Sequence, residues 1–389
     1  MVGPVKIVSI TPTSIQVGPD NRTINGAMLN PSPKKGSTQG YDSATFGRYG
    51  PQYDPKLNVA FNVSVGSPLE LPAGSSLVSS ISLDEAGHRP QLKTAAILTV
   101  LSEEPPQGSF RPPYSGSDKT IYHNKNELDY SKLKSLKRVK YSPSLSDVEK
   151  RFERPWLDHI STWTGRYIHP QENLPDYGRE IAKAISDGAL SLMLDYSHAE
   201  KETLLIRFVQ LGIDLYGIAK DGGEWPDMGG HMHGRKLPIL MAGLLLNDAN
   251  MLEIVDAKKH FIFQEDRQTW FVEQRDVGRE VRQELPRDPR DTYLQEDVGQ
   301  PEWGIHHTRQ NDQDNRRWEA TYRDIVGCSI LGHVLAARLL GAESLWNWPP
   351  LFAYVDRFWE IEKDRTQGGT NEISLFTREL WLEWEKNVK

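Results

Sequence analysis

The chain has 389 residues, which at roughly 100–200 residues per domain is room for two domains, or for one large domain with an appendage. Hydrophobic residues make up 38% and charged residues 25%, which excludes collagen-like and low-complexity chains, and the longest apolar run, near Leu237–Leu246, is about half of the roughly 20 residues a membrane span needs. A net charge of −7, from 46 Lys+Arg against 53 Asp+Glu, argues against a dedicated nucleic-acid binder, which carries a basic face, and leaves room for a local basic cleft.

Met1-Val2-Gly3-Pro4 opens the chain without the basic and apolar regions of a secretory leader. Residues 1–103 read as a small antiparallel β domain. Val5–Ile10, Leu57–Val65, Leu77–Leu83 and Thr94–Leu101 are rich in Val, Ile, Ser and Thr, and clusters such as Pro31-Ser32-Pro33 punctuate them. Residues 104–144 read as a linker, broken at Pro105-Pro106 and Pro112-Pro113. Its basic stretch, Lys132–Lys140, is either a solvated segment or an arm that wraps the next domain and brings charge to its cleft.

From residue 145 the period becomes helical. The expected helices are Ser144–His159, with an N-cap at Ser144 or Ser146, then Tyr177–Asp195, Glu200–Ala219, Lys236–Leu246, Asn250–Phe261, Trp318–Leu340, Ser344–Ile361 and Ile373–Val388. In the third of these, Leu204, Leu205, Phe208, Leu211 and Leu215 keep close to the i, i+3/i+4, i+7 spacing of one face. Long polar and aromatic loops, Gly222–Gly234 and Pro286–Arg317, join several pairs. Such loops fit an (α/α) toroid of helical hairpins better than a bundle with short connections. The expected fold is therefore α+β: a mainly helical (α/α) toroid at 145–389, preceded by the β domain. Cys328 is the single cysteine, so no intramolecular disulfide can form. Of 11 Trp, all but Trp156 follow residue 160, where they serve a large core or a stacking platform.

Three stretches carry chemistry. Asp221 to Lys236 is a glycine-rich loop with His231, His233 and Arg235 at the entrance of a helix, where an anion is favoured and a His pKa is lowered. The His-x-His spacing fits either a catalytic imidazole beside an anion-binding Arg or a pair of metal ligands. The second stretch holds Trp303, His306 and His307, then Arg316, Arg317 and Tyr322. A guanidinium near Tyr322 would stabilise its phenolate and suit it to take and return a proton. The third, Arg166 to Tyr177, offers Tyr167, His169, Glu172 and Asn173 as substrate contacts.

Helical hairpins, a glycine-rich His loop at a helix entrance and the Arg316…Tyr322 pair resemble the toroid-type polysaccharide lyases, the alginate and glucuronan lyases in particular, over roughly residues 145–389. The sequence departs from that pattern at Gly230, which stands where such enzymes often have Asn before the catalytic His. The resemblance implies β-elimination on a uronic-acid polysaccharide. Tyr322 would be base and acid, and His231 or His233 the carboxylate neutraliser or alternative base. Arg316, with Arg235 as second choice, would hold the carboxylate, Trp225 and Trp303 would stack on sugar rings, and His306, His307 and Arg317 would add substrate contacts. It implies an anionic polysaccharide as partner, without nucleic acid or membrane span, no obligatory cofactor, and a secreted or periplasmic location. Three rivals stand beside it, one of them a non-catalytic carbohydrate-binding or structural protein. A toroid glycoside hydrolase would use a carboxylate pair from Asp221, Glu224 and Asp227 with Glu302 or Glu319. A metal-dependent hydrolase would hold zinc on His231, His233, His306 and His307, and a divalent metal such as zinc or calcium stays open as a cofactor.

Overall fold

The computed structural model describes residues 1–44, 52–85, 89–173, 177–278, 293–304, 323–365 and 372–388. It is a mixed α+β protein. The N-terminal part holds β1 (Val5–Ile7), β2 (Ile15–Val17), β3 (Arg22–Ile24), β4 (Ala27–Leu29), β5 (Thr38–Gln39), β6 (Gln52–Tyr53), β7 (Leu69–Leu71), β8 (Ser75–Ser82) and β9 (Leu92–Val100). Its main sheet is antiparallel in the order β4-β8-β9, with Val78 opposite both Met28 and Ile97. β1 pairs with β7 and β2 with β3, also antiparallel, whereas the β5–β6 pair is parallel. The strand expected over Leu57–Val65 does not form. Asn58 instead turns its side chain onto the backbone, where its Oδ1 accepts from Ala27 N (3.1 Å) and Ala60 N (3.0 Å). Asn62 then adopts φ +59°, which ends any extended run.

The helical part holds α1 (Leu145–Lys150), α2 (Gly178–Leu192), α3 (His198–Lys220), α4 (Lys236–Leu245), α5 (Ala249–Ile254) and α6 (Gln264–Arg267). After the short antiparallel pair β10 (Thr269–Phe271) and β11 (Pro301–Trp303) come α7 (Arg323–Leu339), α8 (Glu343–Trp346), α9 (Pro349–Glu362) and α10 (Leu375–Val388). Local chemistry sets several of these bounds. Ser144 caps α1, as expected, through a bond from Asp147 N. Ser197 and Glu200 form a reciprocal capping box on α3. The helix expected over Ser344–Ile361 is two, because Asn347 takes a left-handed conformation and Pro349-Pro350 then begin α9. α1 is shorter than expected, ending four residues before Arg154-Pro155, a pair that disfavours helix.

α2 packs on α7 and α3 on α4. At the first crossing a side-chain carbon on Gly332 would lie 2.4 Å from Ser186 Cβ, so only glycine admits this approach. The main core is continuous across the expected domain boundaries, since Met28, Tyr41, Val78 and Leu92 join Phe152, Ile181, Leu205 and Leu240 in one cluster. Residues 104–144 wrap the helices. Asp129 N bonds Leu245 O, Leu136 exchanges bonds with Met193 and Asp195, and Arg111 grips Asp214 with both terminal nitrogens. The buried Lys119 ammonium organises a turn of this strap by donating to the carbonyls of Pro113, Tyr114, Ser115 and Gly116. Among the described residues, no helix is long and apolar enough to cross a membrane.

Candidate functional site

The loop between α3 and α4 carries His231 and His233, and three neighbours pin it. The first is the N-terminus of α2. A side-chain carbon on Gly178 would fall 2.2 Å from His231 Cα, so the two backbones touch. His231 thus sits at the entrance of α2, as well as on the approach to α4 that the sequence indicates. The second is α6. Gln264 Oε1 accepts from Met232 N (2.7 Å), while the amides of Gln264 and Gln268 both donate to Gly229 O. The third is Asp158, which precedes α2. Its carboxylate takes two bonds from Arg235 (2.6 and 3.1 Å), one from the Trp225 indole (2.9 Å) and a contact from His169 Nε2 (3.3 Å). Arg235 in turn donates to the carbonyls of His231 and His233. Although burial pushes it up, the Arg235 charge and the His169 bond hold the Asp158 carboxyl well below the usual carboxylate range.

This network reassigns several residues expected to touch substrate. Arg235 is buried and spent on Asp158, so it is a strut of the loop and has no free guanidinium face for a carboxylate. Trp225 is 1% exposed and stacks on Phe263 (5.3 Å between ring centroids), and Trp303 is 1% exposed with its indole N–H on Gln268 Oε1 (3.2 Å). Both belong to the core and present no open face to a sugar. His169 and Asn173 are fully buried, and the Asn173 amide donates to the carbonyls of Arg154 and Pro155. His233 is also fully buried. Its Nε2 lies 2.6 Å from Gln268 Oε1. The Trp303 indole can only donate to that same oxygen, so Oε1 is an acceptor and Nε2 carries the His233 proton. Burial takes the His233 pKa down to about 3. Tyr322, Arg316, Arg317, His306 and His307 lie outside the described residues, as does Glu319.

His231 is different. It is half-buried, and its ring meets Tyr177 (4.5 Å between centroids, 56° between planes) and Trp163 (5.4 Å). Both partners are also half-buried, so the three rings form a patch that solvent reaches. Beneath it lies the buried Arg166. Its guanidinium stands 4.5 Å from the Tyr167 ring centre, 5.2 Å from Trp163 and 5.5 Å from Tyr177, and donates to Tyr167 Oη (3.3 Å). Arg179, in the first turn of α2, lies 4.8 Å over the other side of Tyr177. Arg89, exposed just before β9, reaches within 5.8 Å of Tyr167. The strand part thus supplies a cation to the helical part, and Gln91 N on Tyr167 O (2.7 Å) fixes that approach.

Burial, then the charges of Arg166, Arg235 and Arg89, lower the His231 pKa to about 3. The imidazole is neutral at ordinary pH, and its buried Nδ1 has no hydrogen-bond partner among the described residues. A neutral proton acceptor, a phenol and several guanidinium groups thus converge on one aromatic patch. Gly230 has a physical reason here. A side-chain carbon at 230 would meet Val326 at 2.8 Å and the Tyr177 ring at 3.3 Å, so an Asn would displace the phenol.

The sequence pattern points to His231 and Tyr167; the structure sets Trp163, Arg166, Tyr177, Arg179 and Arg89 around His231 and buries the Tyr167 ring that the pattern offers to substrate. Arg166 and Tyr177 bound the third sequence stretch, and an Arg and a Tyr flanking a helix entrance are the signal for them. The carboxylates suited to a hydrolase are engaged elsewhere: Asp221 by Ser32 and Lys34, Glu224 by Arg267, and Glu302 by Arg357. Asp227 is buried. Among the described residues, no group of three or more His, Cys, Asp or Glu is arranged to hold a metal. No family model matches the chain, and neither a curated protein nor a solved structure does.

Proposed function

We propose that this protein is a polysaccharide lyase that cleaves a uronic-acid polysaccharide, of the alginate or glucuronan kind, by β-elimination. The observation that carries the reading is the neutral His231 imidazole set against Tyr177 within the field of Arg166 and Arg89. The C5 proton of a uronate is only weakly acidic. Removing it requires that the neighbouring carboxylate be neutralised while enolate-like charge develops. The exposed Arg89 guanidinium serves that purpose, joined by Arg316 from the sequence pattern, while the buried Arg166 adds its positive field from below. The bound carboxylate would offset the positive field that depresses His231 and so make the imidazole more basic as substrate arrives.

In this reading His231 takes the C5 proton. The electron pair of that C–H bond becomes the C4–C5 double bond, the C4–O bond breaks, and the departing oxygen receives the Tyr177 proton. Tyr177 takes the place that the sequence pattern gives Tyr322. The half-buried Trp163 takes the sugar-stacking role that the sequence pattern gives Trp225 and Trp303. Closure of the helical hairpins into an (α/α) toroid belongs to the same proposal, as does a secreted or periplasmic location, where such polymers are met. No cofactor is needed, since the arginines supply the positive charge.

The test is ultraviolet absorbance of the unsaturated product during incubation with a panel of polyuronates, beside Tyr177→Phe and His231→Gln variants. A rise lost in both variants supports the reading. New reducing ends without absorbance would sink it in favour of hydrolysis.

A further inference from the structure

The strap at 132–140 forms one wall of a groove of about 880 Å³ whose other wall is built mainly by α10. Its residues alternate with a period of three. Leu133, Leu136 and Val139 turn inward onto the main core, while Lys134, Lys137 and Lys140 are exposed. Leu136 anchors the register through its two backbone bonds to Met193 and Asp195, each 2.8 Å. An extended chain advances about 3.1–3.3 Å per residue, so the three ammonium groups recur roughly every 9–10 Å along one edge. Among the described residues, Lys134 and Lys137 form no ion pair. Of the acids of the groove, Glu383 pairs with Lys386 (2.6 Å), while Glu379 accepts from Tyr141 N (3.0 Å) and keeps its charge near Lys140. On the α10 wall, Trp384 is half-buried, braced edge-on by Trp381 with ring centroids 5.7 Å apart, and the Arg338 guanidinium adds a further cation 5.0 Å from its ring centre.

We infer that this groove is a second, non-catalytic binding site for a polyanionic polysaccharide, which it holds while another part of the same chain is processed. The inference rests on the reading of a polyuronate as substrate. Charge complementarity and chemistry favour that occupant. Duplex nucleic acid presents a charge about every 1.7 Å, and a sparse row of lysines on a protein of net charge −7 neutralises little of it. A membrane surface calls for apolar side chains that insert beside the cations, and the strap turns its leucines inward. A polyuronate carries one carboxylate per ring and offers apolar sugar faces, which match spaced ammonium groups beside an indole.

The experiment is affinity electrophoresis in gels containing polyuronate, with the wild type, the triple variant Lys134→Glu/Lys137→Glu/Lys140→Glu, and His231→Gln. The wild type and His231→Gln should be retarded alike, and the triple variant should bind about tenfold or more weakly, as expected for reversing three exposed charges. KM for polymer should rise by the same factor in the triple variant, with turnover of a short oligosaccharide unchanged. Retardation lost in the triple variant, with no unsaturated product from any protein, would uphold the groove and fail the lyase reading alone. Wild-type retardation of the triple variant would overturn the inference. So would absence of retardation in the wild type, or tighter binding of duplex DNA or anionic vesicles than of polyuronate.

Discussion

The Tyr177 ring lies 4.5 Å from that of His231, inclined at 56°, and Gly230 is the residue whose missing side chain permits the approach. Tyr177 is the N-cap of α2, and its backbone N–H is held by Glu180 (2.6 Å), so the phenol is positioned by the helix start itself. Tyr177→Phe keeps the ring and its packing and removes only the transferable proton. Formation of unsaturated product should therefore fall about 10²–10⁴-fold, the usual worth of a positioned acid–base group. Polymer binding and the thermal midpoint should stay near wild type. A variant that keeps wild-type turnover would remove Tyr177 from the chemistry.

Asp158 answers to stability and site geometry together. Its carboxylate joins Arg235, Trp225 and His169 in a fully buried cluster. Asp158→Asn keeps the shape but leaves the Arg235 charge without its counter-ion. Breaking a buried pair in this way typically costs about 3–5 kcal/mol. Because Arg235 also bonds the carbonyls on either side of Met232, the loop should loosen. Urea unfolding should show the loss in stability, and hydrogen exchange should show it concentrated in residues 229–235.

Much of the fold is legible in sequence wherever one local signal suffices. The periodic faces of α2 and α3 are read directly, α4 shows as an apolar run, and the Ser144 cap is explicit. The misses are places where tertiary partners decide. Asn58 trades a strand for side-chain bonds to Ala27, and Asn347 with Pro349-Pro350 splits one apolar run into two helices. The candidate site depends on tertiary partners in the same way. A glycine-rich loop with two histidines looks symmetric on paper, yet Gln268 buries His233 while Gly178 and Gly230 leave His231 beside a phenol. Arg235 reads as an anion binder because its partner, Asp158, is remote in sequence. Trp225 and Trp303 read as sugar platforms because aromatic type alone does not distinguish a core ring from an open one, whereas their near-zero exposure does.

Buried histidines predict a steep acid limit. Burial lowers His159, His231 and His233 from an ordinary 6.5 to about 3, and His333 to about 4. In the unfolded chain these groups bind protons below about 6.5, while the folded protein leaves them neutral until about 3–4. Their contribution is complete above pH 6.5 and is lost as pH falls through that window. The limiting slope for four such groups is on the order of 5 kcal/mol per pH unit. Fluorescence-monitored acid titration should show cooperative unfolding well above pH 3. His159 lies between Tyr41 and Tyr114, away from the His231 patch, and His159→Gln should move the midpoint to lower pH. An unchanged midpoint would mean that this imidazole is charged in the folded state.

Glu265 carries the opposite sign. It lies in α6 next to the glutamines that pin the His loop, fully buried, with neither carboxyl oxygen hydrogen-bonded. Burial, then the adjacent Asp266 charge, raises its pKa from 4.5 to about 7, against the opposing charges of Lys236 and Arg235. A raised folded pKa means the carboxyl stabilises the fold in its protonated form. That contribution is complete below about 4.5 and is lost as pH rises through about 7. Glu265→Gln keeps the size and removes the titration. The variant should gain on the wild type as pH rises, by roughly 2–3 kcal/mol more at pH 8 than at pH 5, since one pKa unit is about 1.4 kcal/mol. Denaturant midpoints at the two pH values decide it. A gain equal at both would show that the Glu265 carboxyl does not titrate between them.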